Sequence, residues 1–192
     1  MRRGPPNSDI HAPAQMVPCT ITFLEMMAPP PLPALVPPVP KLALLRAEKP
    51  PVSFYRYLYD VVGRPWLWTD RKRLSNRELI EIIHDDRVEI FVLYVRGCPA
   101  GYAEIDCRDG PDLHLQYFGL LPEFIGQGLG SYFLNWTIRH AWEKKPKRFW
   151  VNTNNFDHPR ALPLYQRLGF VPYARREVHI DPDPDPLTPS DD

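Results

Sequence analysis

Leu120-Leu121-Pro122-Glu123-Phe124-Ile125-Gly126-Gln127-Gly128-Leu129-Gly130-Ser131 is the stretch on which the reading of this chain turns. An apolar strand pattern, Leu113 to Leu120, runs into it, and a helical pattern leaves it and continues to about Trp142. Glycines at 126, 128 and 130 let backbone approach a ligand closely. A helix that opens directly after such a turn has unpaired first N–H groups and points the positive end of its dipole at the turn, so the junction suits a pyrophosphate. Taken alone, the turn reads equally well as a tight strand-to-helix connection.

Downstream, Arg148 to Asn152 reads as a short strand, and Pro159 opens a last helix at a position where a missing N–H costs little. Gly169 stops that helix, while Pro163 must kink it or sit in its first turns. Val171 to Ile180 is a final strand. Upstream, Val88 to Val95 and Ala100 to Cys107 are β-rich runs joined around Arg96-Gly97, as in a hairpin. Ser75-Asn76-Arg77-Glu78 is a capping box that starts a helix at Ser75, and Val52 to Val62 has the spacing of the helix before it. Thr20-Ile21-Thr22-Phe23-Leu24 lies in a first strand, Pro18 to Met26. Ala28 to Pro40 holds too many prolines for helix or ladder and reads as a polyproline-type surface connector.

The 192 residues, 44% hydrophobic, suffice for one enzyme-sized core. A zero net charge gives no support to a broad nucleic-acid surface, and no apolar run reaches membrane-spanning length. Cys19, Cys98 and Cys107 are odd in number, lack metal-ligand spacing and accompany no signal-peptide pattern, so reduced thiols in the cytoplasm and no metal are expected. The expected organisation is a disordered leader over residues 1–16, a domain over 17–181 and a disordered Asp-Pro tail over 182–192. Either Met1 or Met16 can be the true start.

Two motifs carry a family resemblance. Gly126 to Gly130 is similar to the turn Arg/Gln-x-x-Gly-x-Gly/Ala of the GNAT superfamily of acetyl-CoA-dependent N-acetyltransferases, and Tyr165-Gln166-Arg167-Leu168-Gly169-Phe170 resembles that superfamily's Tyr-x-x-x-Gly-Phe closure. Ile125 stands where Arg or Gln is usual. A looser likeness runs from about Val17 to Tyr173. The resemblance implies an α/β (α+β) fold, with a mixed, mostly antiparallel central sheet, a splayed parallel strand pair and about four helices. It implies acetyl-CoA as co-substrate, with the pantetheine arm along the strand at Phe118 to Leu120 and the pyrophosphate at Gly126, Gln127, Gly128, Leu129, Gly130 and Ser131. It also places an oxyanion donor at the Leu120 amide, and His158 where similar sequences carry Asn to bond the pantetheine arm; an N-cap or helix-entry role fits His158 equally well.

An attacking amine must lose a proton. His114, at the position comparable to the family's strand carboxylate, and Glu104, on the preceding strand, are both candidates, and each reads equally well as a structural or solvated side chain. Tyr165 is the expected general acid for the departing thiolate, because a phenol of pKa about 10 stays protonated at working pH; the other reading is a core aromatic among Leu162, Leu164 and Leu168. The implied acceptor site lies on the first two helices and their loop, with Tyr55, Tyr59, Trp66 and Trp68 as candidate walls; ordinary packing accounts for such aromatics too. The expected partner is a small-molecule or peptide amine, without nucleic acid or membrane and with a homodimer left open. The rival expectation is a non-catalytic acyl-CoA sensor or interaction module of the same fold.

Overall fold

Arg96 and Gly97 have φ of 53° and 86°, and two successive residues at positive φ make the tight turn that matches the twist of a β-hairpin. That turn joins β3 (Val88–Val95) to β4 (Cys98–Asp106), and β5 (Asp112–Leu120) extends the meander. The computed structural model describes residues 16–181. Apart from Met16, the expected leader lies outside the described residues, as does the Asp-Pro tail over 182–192. Ahead of β3 come β1 (Val17–Met26), β2 (Leu42–Arg46), α1 (Val52–Gly63) and α2 (Asn76–Ile83). After β5 follow α3 (Leu129–Glu143), β6 (Arg148–Asn154), α4 (Ala161–Arg167) and β7 (Val171–Ile180). The capping box forms as the sequence predicts: Ser75 accepts from the Glu78 amide and the Glu78 carboxylate accepts from the Ser75 amide.

The seven strands form one sheet in the order β2-β3-β4-β5-β6-β1-β7, in which β5 and β6 alone among the described strands run parallel. Helices α1 and α2 bury Tyr55, Leu58, Val62 and Leu79 in one core cluster, and α3 and α4 bury Phe133, Ile138 and Tyr165 in the other. This is the mixed, mostly antiparallel fold expected.

Two sequence expectations are corrected here. A second strand, Leu42–Arg46, precedes the first helix; Leu42-Ala43-Leu44-Leu45 lacks β-branched residues and clean alternation, so its strand character comes from pairing with β3. The last helix starts at Ala161 instead of Pro159, because Pro159 and Arg160 form a turn ahead of it, closed by the Ala161 amide donating to the His158 carbonyl. Pro163 consequently falls in the first turn of α4, where its missing N–H removes no intrahelical bond.

Candidate functional site

Pairing between β5 and β6 covers Asp112–Leu115 against Arg148–Val151 and then stops, although both strands continue. The cause lies on the other edge of β5. Glu104 pairs with Tyr117 and the next residue of β4, Ile105, pairs with Leu115, so Gln116 is an extra residue that bends the strand at a β-bulge. Beyond it, the Leu121 amide donates to the Ala100 carbonyl. Antiparallel alternation therefore turns Tyr117 and Gly119 toward β4, and leaves the backbone groups of Phe118 and Leu120 facing the side that β6 has vacated. A cavity of about 690 Å³ occupies that opening.

One end of the cavity is the glycine turn. Gly126 and Gly128 have φ of 88° and 79°, a region that L side chains rarely enter, and Gly128 caps α3 without any side-chain bond to the first helical N–H groups. Gly126, Gly128, Gly130 and Ser131 line the cavity. Leu129 is fully buried in the core, and the Gln127 amide nitrogen donates to the Glu123 carbonyl, so these two support the turn without facing the cavity. Ile125, at the position departing from the family pattern, does line it. Arg167 reaches across from α4 and donates to Ser131 Oγ at 2.7 Å, which brings a cation to the helix start. Uncapped amides, a helix dipole and a guanidinium together suit a pyrophosphate, and the free edge at Phe118 and Leu120 suits the amide-bearing arm of coenzyme A.

Tyr165 belongs to the cavity wall, 6% exposed, with its ring against Phe118 and Phe170. Burial, with the Asp157 charge adding to it, holds its phenol well above the ordinary tyrosine range, so the proton is retained at any physiological pH. His158 also lines the cavity. Its Nδ1 accepts from the Arg160 amide at 3.0 Å, which fixes the tautomer with the proton on Nε2.

The far end is aromatic. Tyr59, Trp66 and Trp68 line the cavity together with Tyr117, whose ring centroid lies 5.1 Å from those of both Tyr59 and Trp68. Tyr55 does not reach it: the side chain is buried behind this wall and donates its hydroxyl to Glu104.

The two base candidates are likewise placed away from the cavity lining. Glu104 is 0% exposed, paired with Arg71 at 2.6 Å and bonded to Tyr55. Burial lifts its carboxyl above the usual range against the opposing pull of Arg71. His114 sits in the zipped half of β5, stacked on Trp150 with centroids 3.5 Å apart and bonded through Nε2 to Asn152 Oδ1 at 3.1 Å. Burial lowers its imidazole to about 4, outweighing the Asn152 bond and the Asp106 charge, so it is neutral near pH 7.

Sequence reasoning missed Asp157 and Arg167. Asp157 lines the cavity; its carboxylate accepts from Thr153 Oγ1 at 2.7 Å, the Asn154 amide at 3.0 Å and Trp68 Nε1 at 3.2 Å. Among the described residues no Lys, Arg or His lies within ion-pair distance of it. The available signal was position: Asp157 follows the end of β6, and ligand sites in parallel strand pairs lie at the strands' carboxyl ends.

The family model described as the Acetyltransferase (GNAT) family matches residues 53–170. No curated protein matches significantly. Among solved structures, a functionally unknown conserved protein from Staphylococcus epidermidis aligns with a TM-score of 0.59 at 19% identity, over 85% of this chain and 61% of that one. A GCN5-related N-acetyltransferase from Sphaerobacter thermophilus aligns with a TM-score of 0.62 at 15% identity, over 85% and 52%. An aminoglycoside acetyltransferase from an uncultured soil metagenomic sample gives 0.55 at 14% identity, over 67% and 88%. The chain thus spans less than two thirds of the first two of these, and all three establish likeness of fold.

Proposed function

The chain belongs to the acetyltransferase (GNAT) family, and from that premise we propose that it moves an acetyl group from acetyl-CoA to the primary amine of a small molecule or peptide by direct attack. The observation that carries the reading is a single cavity joining the uncapped glycine turn, the free backbone of β5 and Tyr165. When bound, acetyl-CoA supplies the thioester carbon that the amine attacks. The Leu120 N–H is the donor for the charge that develops on the carbonyl oxygen, and one preorganised donor of this kind contributes about 3–4 kcal/mol. As the carbon–sulfur bond breaks, the Tyr165 hydroxyl gives its proton to the sulfur, and one of the two protons that the acceptor nitrogen sheds restores the phenol. The amine's own surplus proton leaves through water on the aromatic side, where Asp157 draws the incoming ammonium group. The neighbour described as an aminoglycoside acetyltransferase supports a small-molecule acceptor, and three free thiols support a reducing compartment such as the cytoplasm.

The rival reading, a non-catalytic acyl-CoA sensor, draws on the placement of both candidate bases outside the cavity lining. One experiment separates the two. Acetyl-CoA is incubated with pooled primary amines and free thiol is measured; amine-dependent release establishes transfer, whereas binding of acetyl-CoA without release for any amine leaves the sensor.

A further inference from the structure

The proline-rich segment at residues 28–40 is held down along α3. Asn135, 3% exposed, donates Nδ2 to the Pro33 carbonyl at 2.9 Å. Arg139, one turn further, donates to the Pro33 and Leu32 carbonyls at 3.0 and 3.2 Å, and its Nε donates to Asn135 Oδ1 at 2.9 Å. Repeated proline deprives the segment of its own N–H donors, so two α3 side chains satisfy its carbonyls instead. Pinned in this way, the strap passes the start of α3, where Pro38 Cβ lies 3.3 Å from the point at which a side chain on Gly128 would begin.

Between strap and helices is a second cavity of about 290 Å³, walled by Leu35, Val36 and Pro38 on one side and by Ser131, Tyr132 and Arg167 on the other. Gly128, Ser131 and Arg167 line both cavities, so the two meet at the glycine turn. The strap lies outside the residues that match the family.

Coenzyme A has a fixed covalent order: thiol, pantetheine arm, pyrophosphate, adenosine 3′-phosphate. With the reacting end at Tyr165 and the pyrophosphate at Gly126 to Ser131, the nucleotide must leave the turn on the side away from Tyr165. Resting on the reading of the first cavity as an acyl-CoA site, we propose that the second cavity receives this nucleotide, with Leu35, Val36 and Pro38 of the strap covering the purine and Arg167 meeting phosphate charge. A proline-stiffened wall loses little freedom when a ligand seats against it, which favours binding by preorganisation.

The test is titration calorimetry with coenzyme A and with 4′-phosphopantetheine, which ends before the nucleotide, on the full chain and on Val36→Asp. Val36 is 72% exposed, so the substitution buries no charge. A carboxylate placed beside the nucleotide phosphate should weaken coenzyme A roughly five-fold by like-charge repulsion. Affinity for 4′-phosphopantetheine should not change. Unaltered affinity for coenzyme A, or equal losses for both ligands, overturns the nucleotide assignment while leaving the first cavity's reading intact. A wild-type protein that binds neither ligand overturns both.

Discussion

The two halves of β5 share one strand and have opposite fates. From Asp112 to Leu115 the strand is zipped to β6, with His114 and Leu115 also paired to β4, and the His114 ring is stacked on Trp150 and tied to Asn152. From Gln116 to Leu120 it keeps β4 and loses β6, and its backbone faces a cavity. The histidine thus lies in the half that is closed, and the half that is open offers amides and carbonyls beside the ring of Tyr117. What separates them is one extra residue at the bulge. Residue type nominates chemistry, but strand pairing decides which atoms a ligand can meet.

The contrast breaks most directly at Tyr165. Tyr165→Phe should lower turnover by about 10²–10⁴ while acetyl-CoA affinity and the thermal melt stay close to wild type, since ring and packing remain. Unchanged turnover, under conditions where chemistry limits the rate, would make this residue part of the core only. At the boundary of the halves, Glu104 is buried opposite Tyr117, and removing its cation strands a charge in the core. Arg71→Met should therefore cost about 3–5 kcal/mol of stability in urea titration. A smaller loss would mean that water reaches the pair. In the open half, Gly128→Val forces a β-branched residue to a φ of 79° beside Pro38, and should weaken acetyl-CoA about ten-fold, read by calorimetry on folded protein.

The smallest effect on catalysis should come from the zipped half. His114→Phe keeps a ring on Trp150, and turnover at neutral pH should change by no more than about a factor of two, against the 10²–10⁴ that loss of a working base costs. A larger fall would restore His114 as the base. Its signature is expected in stability instead. Burial holds the folded imidazole to about 4, whereas an unfolded histidine titrates near about 6.5. Between those values the unfolded chain takes up a proton that the folded chain refuses. The contribution is therefore complete above about pH 6.5 and is lost as pH falls toward 4. Urea midpoints measured from pH 7 to pH 4 should decline less steeply in His114→Phe.

Local features were legible in the sequence because their causes are local. The capping box at Ser75, the turn at Arg96-Gly97, the strand Val88–Val95 and the glycine turn each rest on a few adjacent residues. What escaped is non-local. Leu42–Arg46 becomes a strand because β3 has a free edge, and Glu104 is consumed by an arginine 33 residues away. Alternation in Val17–Met26 announces a strand but carries no information on its neighbours, and Tyr55 and Tyr59, four residues apart on one helix, divide between core and cavity. Asp157 and Arg167 were passed over because their importance is a matter of which loop and helix flank the opening of β5.

The position of β1 sets the order of construction against the order of synthesis. It lies between β6 and β7, and Thr20 is bonded to Asn155, 135 residues further along. A ribosome delivers β1 well before either partner exists, so Ile21, Phe23 and Leu24 must wait with both strand edges open while the rest of the sheet is made. Closing so long a loop is slow, and an unpaired apolar strand is a template for association with other chains. The cell thus has to guard a strand that leaves the exit tunnel long before it can be paired; a nascent chain halted between β5 and β6 would already carry the meander β3–β5 and would display β1 to whatever chaperone or second chain met it first.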